Sequence, residues 1–283
     1  MLRLAIQKSG RLSEDSLKLI RECGISFVQS SLKLKTESTN FPLEILYLRD
    51  DDIPGYVADG VADIGIVGQN VLVEEGKEAL TVEELGFSRC RLSLAVPKSM
   101  AYSSVQDLDG KNIATSYPNL LQAYLQEQGV KAHIHTISGS VEIAPSIGLA
   151  EAICDIVSSG STLISNGLKE VERVFKSEAV LIANDGLNEE KRHILDKLLF
   201  RIHAVQRARK AKYILLNAPN ESLQEISDLL PSIKSPTILP LAEEGWSSLH
   251  SVVNEDDFWE IIEKIKAAGA QGILVIPIEK MIV

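Results

Sequence analysis

The sequence predicts an α/β protein with two lobes in series and a smaller third domain of different strand order. Three observations carry this. Short apolar runs alternate with amphipathic, capped segments through residue 178, the pattern of largely parallel sheets. The alternation fills two successive blocks, 1–90 and 91–178, so a cleft between two lobes is expected. From about residue 211 the order becomes strand, helix, strand, strand, helix, strand.

In the first block Leu2–Ile6 reads as a strand. The next helix has Ser13 as its cap, Glu14 and Asp15 in its first turn, Lys18 and Arg21 in its last, and Gly24 as its stop. Leu12 and Leu17 are spaced as a hydrophobic staple around that cap. Leu43–Leu48 and Ile64–Val67 are further strands, the second a buried run, with a short helix over Pro54–Asp59 between them.

The second block opens with strand Arg91–Val96. Strands Asn112–Thr115, Ala132–Ile137 and Asp155–Val157 follow, with helices over Asn119–Gln128 and around Ile147–Ile153. Val180–Ala183 reads as a strand returning to the first lobe, and Asn188–Lys210 as an amphipathic connecting helix, giving a return segment of about 179–205. The third block, 211–283, has strands Lys212–Asn217, Thr237–Leu239, Ser247–Val253 and Gly272–Pro277. Its helices cover Glu221–Leu230 and Glu255–Ala268. This is the split βαβ, ferredoxin-like pattern, expected here as a regulatory module.

Composition narrows the function. The chain has 283 residues, 45% hydrophobic and 24% charged, which fits a globular protein of about two domains. No apolar run approaches the ~20 residues of a membrane span. Twenty-nine Lys and Arg against 39 Asp and Glu give a net charge of −10, which argues against a nucleic-acid partner. The N-terminus enters a strand pattern at once, with Lys8 and Arg11 too close for a signal-peptide core. Three dispersed cysteines, Cys23, Cys90 and Cys154, fit a reducing cytoplasm. Motifs GxxxxGK[ST], HExxH and GxSxG are missing from the sequence, so neither a P-loop nor an activated serine is expected.

Chemistry concentrates in four segments. Asp155 is followed by Ser158, Ser159, Gly160, Ser161 and Thr162, small residues whose backbone N–H groups and hydroxyls can approach a phosphate. Asp155, read at the entrance of its strand, can accept from a ribose diol, with Glu142 as a second carboxylate. The same pattern equally fits an ordinary βα loop with capping hydroxyls. Lys8, Gly10 and Arg11 follow the first strand, where open α/β sheets bind ligands; two solvated cations on a plain loop fit as well. In Arg49-Asp-Asp-Asp52 the three carboxylates could hold Mg²⁺ with substrate phosphates, but they read better as helix caps, with Arg49 as the ligand contact. Tyr117 can offer a face to a purine or pack at a rim. Two glycines in Asp63–Gly68 read as close packing, and His133 and His135 as an exposed strand edge rather than a metal pair.

Seven segments together are more specific than any one. They are Gln7–Ser13, Leu48–Gly55, Ala114–Pro118, Gly139–Pro145, Ala152–Gly160, Ser235–Leu241 and Ile276–Lys280. With them the whole chain resembles the ATP phosphoribosyltransferase family in its long form. The resemblance implies two catalytic lobes like those of type II periplasmic binding proteins, and a C-terminal domain that binds histidine as inhibitor. It implies ATP and 5-phosphoribosyl 1-pyrophosphate as substrates, Mg²⁺ as cofactor, and a homo-oligomer between dimer and hexamer. By the same resemblance Asp155 and Glu142 hold the ribose hydroxyls and Ser158–Thr162 the 5-phosphate. Lys8, Arg11 and Arg49 serve pyrophosphate or ATP phosphates, and Tyr117 the adenine. Asn217, Ile233, Thr237, Val252 and Gly272 are the implied histidine contacts, with Asn217 where some relatives carry an acidic residue. The metal's ligands stay unassigned. A non-catalytic two-lobed solute-binding protein is the rival, disfavoured by the third domain.

Overall fold

A computed structural model of the chain describes residues 1–28, 34–230 and 235–282. The chain divides into two compact units, Met1–Lys18 with Ile25–Leu195, and Leu19–Gly24 with Asp196–Val283. Through the first stretch run β1 (Leu2–Gln7), α1 (Arg11–Glu22), β2 (Lys35–Glu37), β3 (Leu43–Leu48), α2 (Ile53–Ala58), β4 (Ile64–Gly68), α3 (Gln69–Glu75) and β5 (Leu80–Glu84). There follow β6 (Cys90–Pro97), β7 (Asn112–Thr115), α4 (Pro118–Glu127), β8 (His133–Thr136), β9 (Ala152–Val157), α5 (Ser161–Ser165), β10 (Leu168–Ser177), β11 (Ala179–Ala183) and α6 (Glu189–Arg209).

The first unit holds two sheets, one per lobe, ordered β2-β3-β1-β4-β11-β5 and β10-β6-β9-β7-β8. Both are mixed rather than largely parallel. β1 lies parallel to β3 and β4, and β7 parallel to β8 and β9, whereas β6, β10 and β11 run antiparallel to their neighbours. The antiparallel members are strands by which the chain crosses between lobes, before β6 and after β10. The two crossings are bonded to each other: Leu85 N–H donates to the Ala179 carbonyl at 2.9 Å, and Ala179 N–H to the Phe87 carbonyl at 3.0 Å.

Three local expectations change. Helix α1 starts at Arg11, because Gly10 at φ +95° turns the chain straight out of β1 and accepts the Glu14 N–H. Ser13 is therefore buried inside the helix, not its cap, and the Leu12–Leu17 staple loses its basis. No helix covers Ile147–Ile153: Gly148 takes φ +74° among turns, and Ala152 and Ile153 already belong to β9. A short apolar run looks alike in a helix and a buried strand, and β9 is buried at Ala152, Ile153, Cys154 and Val157. Finally, Asp52 is the N-cap of α2 by position, but its side chain makes no cap bond.

Packing explains both glycines of the β4 run. A Cβ on Gly65 would lie 2.7 Å from Ile53 Cγ2, and one on Gly68 2.5 Å from Asn70 Oδ1. The core of the second lobe gathers Leu92, Leu94, Ile113, Leu121 and Leu125, and Tyr117 packs partly against the cores of both lobes.

The second unit carries β12 (Ala211–Pro219), α7 (Leu223–Leu229), β13 (Thr237–Pro240), β14 (Trp246–Asn254), α8 (Glu255–Ala267) and β15 (Gln271–Pro277). Its antiparallel sheet, ordered β13-β14-β12-β15, is the ferredoxin-like arrangement. Ile214, Leu216, Leu249, Ile226, Phe258 and Ile265 bury between sheet and helices. A short turn over Asn220–Ser222 delays α7 relative to the expected start at Glu221. Asn254 caps α8, whose first turn is acidic and last turn basic.

Candidate active site

The residues singled out in the sequence gather where strand ends of both lobes meet. Gln7 lies opposite Leu48, and Lys8 N–H donates to the Leu48 carbonyl at 2.8 Å. The loops after β1 and β3 thus leave side by side, with Lys8 and Arg49 at adjacent strand ends. Gly10 completes the first loop, and Arg11 starts α1, whose free N–H groups face the same end.

From the second lobe comes the turn after β9. Gly160 at φ +81° precedes α5, and Ser159 Oγ lies 3.0 Å from Ser161 Oγ. Ser158, Ser159, Ser161 and Thr162 are all exposed. Two arginines grip Ser158: Arg11 Nη1 donates to its Oγ at 3.3 Å and Arg91 Nη1 to its carbonyl at 3.1 Å. The first of these bonds joins the lobes.

Asp155 is the fourth residue of β9, nearer its carboxyl end than its entrance, because the strand begins at Ala152. Its Oδ1 accepts the Ile156 N–H at 2.7 Å, leaving the other oxygen available. Burial first, and then the charge of Glu142, push its carboxyl above the ordinary range. Glu142 sits on a short turn, Val141–Ile143, that follows Ser140 at φ +51°. The Tyr117 phenol is pushed up by burial and by the charges of Asp50 and Asp155, which brings both lobes' acids to one ring. Two carboxylates beside a small, donor-rich turn can orient a sugar diol while the turn holds its phosphate.

A cleft of about 370 Å³ adjoins Ser158, lined by Arg89, Arg91, Arg173 and Lys176 with Glu178. Arg91 pairs with Glu170 and Arg89 with Glu178, so Arg173 and Lys176 leave this cleft with a net positive lining on an acidic protein. Cys90 lines it too, but burial raises its thiol, as it does that of Cys154, so neither acts as a ready nucleophile. His133 and His135 are exposed on edge strand β8. Among the described residues, three or more His, Cys, Asp or Glu do not gather as a metal cage, and no helix is long and apolar enough to cross a membrane.

Arg91, Lys176, Asn70 and Glu74 escaped sequence reading. Asn70 and Glu74 are buried on α3 and bond to the other lobe. One signal pointed to them: α4 begins at Tyr117-Pro118 without a capping side chain, so its cap must come from elsewhere.

In the second unit Asn217, Thr237 and Val252 lie on β12, β13 and β14, on the sheet face away from the helices. Gly272 on β15 takes φ +58°, and a Cβ there would lie 3.5 Å from Asn217 Nδ2. Ile233 lies outside the described residues.

Comparisons with known proteins agree along the whole chain. A family model described as ATP phosphoribosyltransferase matches residues 49–204, and one described as HisG, C-terminal domain, matches 208–280. The ATP phosphoribosyltransferase of Cytophaga hutchinsonii is 66% identical over 282 residues, covering 100% of this chain and 99% of that one. That of Parabacteroides distasonis is 59% identical over 283 residues, covering 100% of each. Among solved structures, the ATP phosphoribosyl transferase (HisG:HisZ) complex from Thermotoga maritima matches 72% of this chain and 99% of that one, at 31% identity and TM-score 0.61. A periplasmic sulfonate-binding protein from Methylobacillus flagellatus, 15% identical with TM-score 0.51 over 74% of this chain and 68% of that one, shares the two-lobed fold alone. On its sequence and its fold, the chain belongs to the ATP phosphoribosyltransferase family.

Proposed function

We propose that the protein condenses ATP with 5-phosphoribosyl 1-pyrophosphate, giving N1-(5-phosphoribosyl)-ATP and pyrophosphate, the first step of histidine biosynthesis, in the cytoplasm. The observation that carries the site assignment is the Asp155–Glu142 pair beside the Ser158–Thr162 turn. The turn cradles the 5-phosphate, and Asp155 and Glu142 accept from the ribose hydroxyls. Lys8, Arg11 and Arg49 neutralise the departing pyrophosphate or the ATP phosphates, with Gly10 letting the loop approach. Tyr117 borders the adenine.

Adenine N1 is itself the nucleophile. It attacks the anomeric carbon as the bond to pyrophosphate breaks through an oxocarbenium-like sugar. Catalysis is then positioning and electrostatics, and no serine or thiol nucleophile is required. Closing the lobes excludes water that would hydrolyse the donor. Mg²⁺, when bound, would neutralise charge on the substrate phosphates, and the carboxylates of the site would be the side chains able to hold it. One or two carboxylates such as Asp155 and Glu142, with substrate phosphates and waters, are its usual ligands.

On this reading residues 1–90 with 179–205 form one catalytic lobe and 91–178 the other. Residues 211–283 bind histidine through Asn217, Ile233, Thr237, Val252 and Gly272, and the chain works as a homo-oligomer between dimer and hexamer. The test is incubation of the protein with ATP, 5-phosphoribosyl 1-pyrophosphate and Mg²⁺, following adenine absorbance with and without histidine. Turnover that needs both substrates and falls with histidine is expected. Absence of turnover refutes the reaction, and turnover indifferent to histidine refutes the regulatory assignment.

A further inference from the structure

Helix α3 carries Asn70 and Glu74 one turn apart, both buried. The Glu74 carboxylate accepts the backbone N–H groups of Asn119 and Leu120, each at 2.9 Å, and the Asn119 side chain donates to the Glu74 carbonyl at 2.9 Å. Those N–H groups belong to the first turn of α4, where a helix has no partners of its own. A Ser, Thr, Asp or Asn at the N-cap would normally supply one, but the residue there is Tyr117, with Pro118 next. An acid from the other lobe thus caps α4 and leaves the N-cap side chain free for another task.

Asn70 holds the opposite end of the same tyrosine. Its side chain lies near enough to the Tyr117 phenol to pull that group's pKa down against burial, and its Oδ1 accepts from Ser177 Oγ at 2.7 Å while its N–H donates to that hydroxyl at 3.0 Å. Gly68 makes the room, since a Cβ there would collide with Asn70 Oδ1. The helix turn that starts at Tyr117 is thus tied to α3 through Glu74, and the ring packs beside Asn70 on the same helix.

We propose that Glu74 and Asn70 are positioning residues that hold the Tyr117 ring between the lobes for the purine of the nucleotide substrate. The inference rests on the reading of Tyr117 as the residue bordering adenine. Losing the carboxylate leaves the Asn119 and Leu120 N–H groups without that partner, the second of them buried, so the start of α4 shifts or opens to water, and the ring moves with it.

The full-length chain is assayed by initial rates, varying ATP at saturating phosphoribosyl donor and the reverse. With one net hydrogen bond lost, Glu74→Gln raises the KM for ATP about threefold, and Glu74→Ala, losing two, about tenfold. The KM for the phosphoribosyl donor stays within about twofold in both, since the Ser158–Thr162 turn is untouched. Asn70→Ser leaves α4 capped and gives the same ATP-selective rise, so it decides the matter if Glu74→Ala does not fold. Equal rises in both KM values, or none in a folded variant, overturn the inference. A wild-type chain inactive with both substrates refutes the proposed function instead, and this inference with it.

Discussion

Replacing Asp155 separates activity from stability, with opposite signs. One of its oxygens already accepts the Ile156 N–H at 2.7 Å, so on the proposed reading the other is left for the sugar. Asp155→Ala forfeits one bond to a charged group, about 1.5–3 kcal/mol, or roughly 10- to 150-fold in kcat/KM. Asp155→Asn keeps the bond to Ile156 and presents its amide to the sugar, so its loss is smaller, about 5- to 30-fold. Stability moves the other way. Burial and the Glu142 charge raise the folded carboxyl's pKa, so the folded state favours the protonated form. That favour is complete below the ordinary carboxyl pKa and is lost as pH rises through the raised value. At pH 7–8 wild type carries an unfavourable half-buried charge that Asn lacks, so Asp155→Asn melts higher, and the gap closes as the solution is acidified. Calorimetry at pH 8 and pH 4, beside steady-state rates, measures both. A variant with undiminished kcat/KM, or one that melts lower at pH 8, refutes the reasoning.

Three further outcomes are expected. Gly65→Ala places its methyl 2.7 Å from Ile53 Cγ2 and 3.0 Å from Val57 Cγ2; overpacking of about 1–3 kcal/mol lowers the melting temperature by about 2–12 °C, and an unchanged melt would show that α2 yields freely. Arg91→Ala removes the donor to the Ser158 carbonyl, so the KM for the phosphoribosyl donor rises about tenfold or more; a KM within twofold of wild type removes Arg91 from the site. Gly272→Ala strains a φ of +58° and crowds Asn217. Histidine dose–response curves for that variant shift to higher concentration, and superimposable curves would separate this edge of the sheet from the effector.

The sequence disclosed what is local. The serine-rich turn after β9 and the loop from Lys8 to Arg11 are contiguous, and their small residues and cations carry meaning without a fold. Bonds across long stretches of chain left no such trace. Glu74 in Val73-Glu74-Glu75 looks like one more solvated acid until α3 is set against α4, 45 residues away in sequence. Strand β10 was hidden because Lys169, Glu170, Glu172, Arg173 and Lys176 break up its apolar residues. Yet those charges matter: Glu170 bonds Arg91, and Arg173 and Lys176 line the cleft. The misplaced start of α1 has another source, since a capping serine at Ser13 competed with a glycine at Gly10 whose backbone freedom made the earlier start possible.

The paired crossings between the lobes restrict how they move. Two lengths of chain, stitched to one another at Leu85, Phe87 and Ala179, act like a door hung on two pins: it swings but does not slide or spin. On the proposed reading, opening for substrate would run chiefly along that one angle, and the separation of Arg11 from Ser158, 3.3 Å between Nη1 and Oγ here, would follow it. A probe pair placed on those two loops would follow each opening stroke, and a nick in either crossing would loosen the swing without parting the halves.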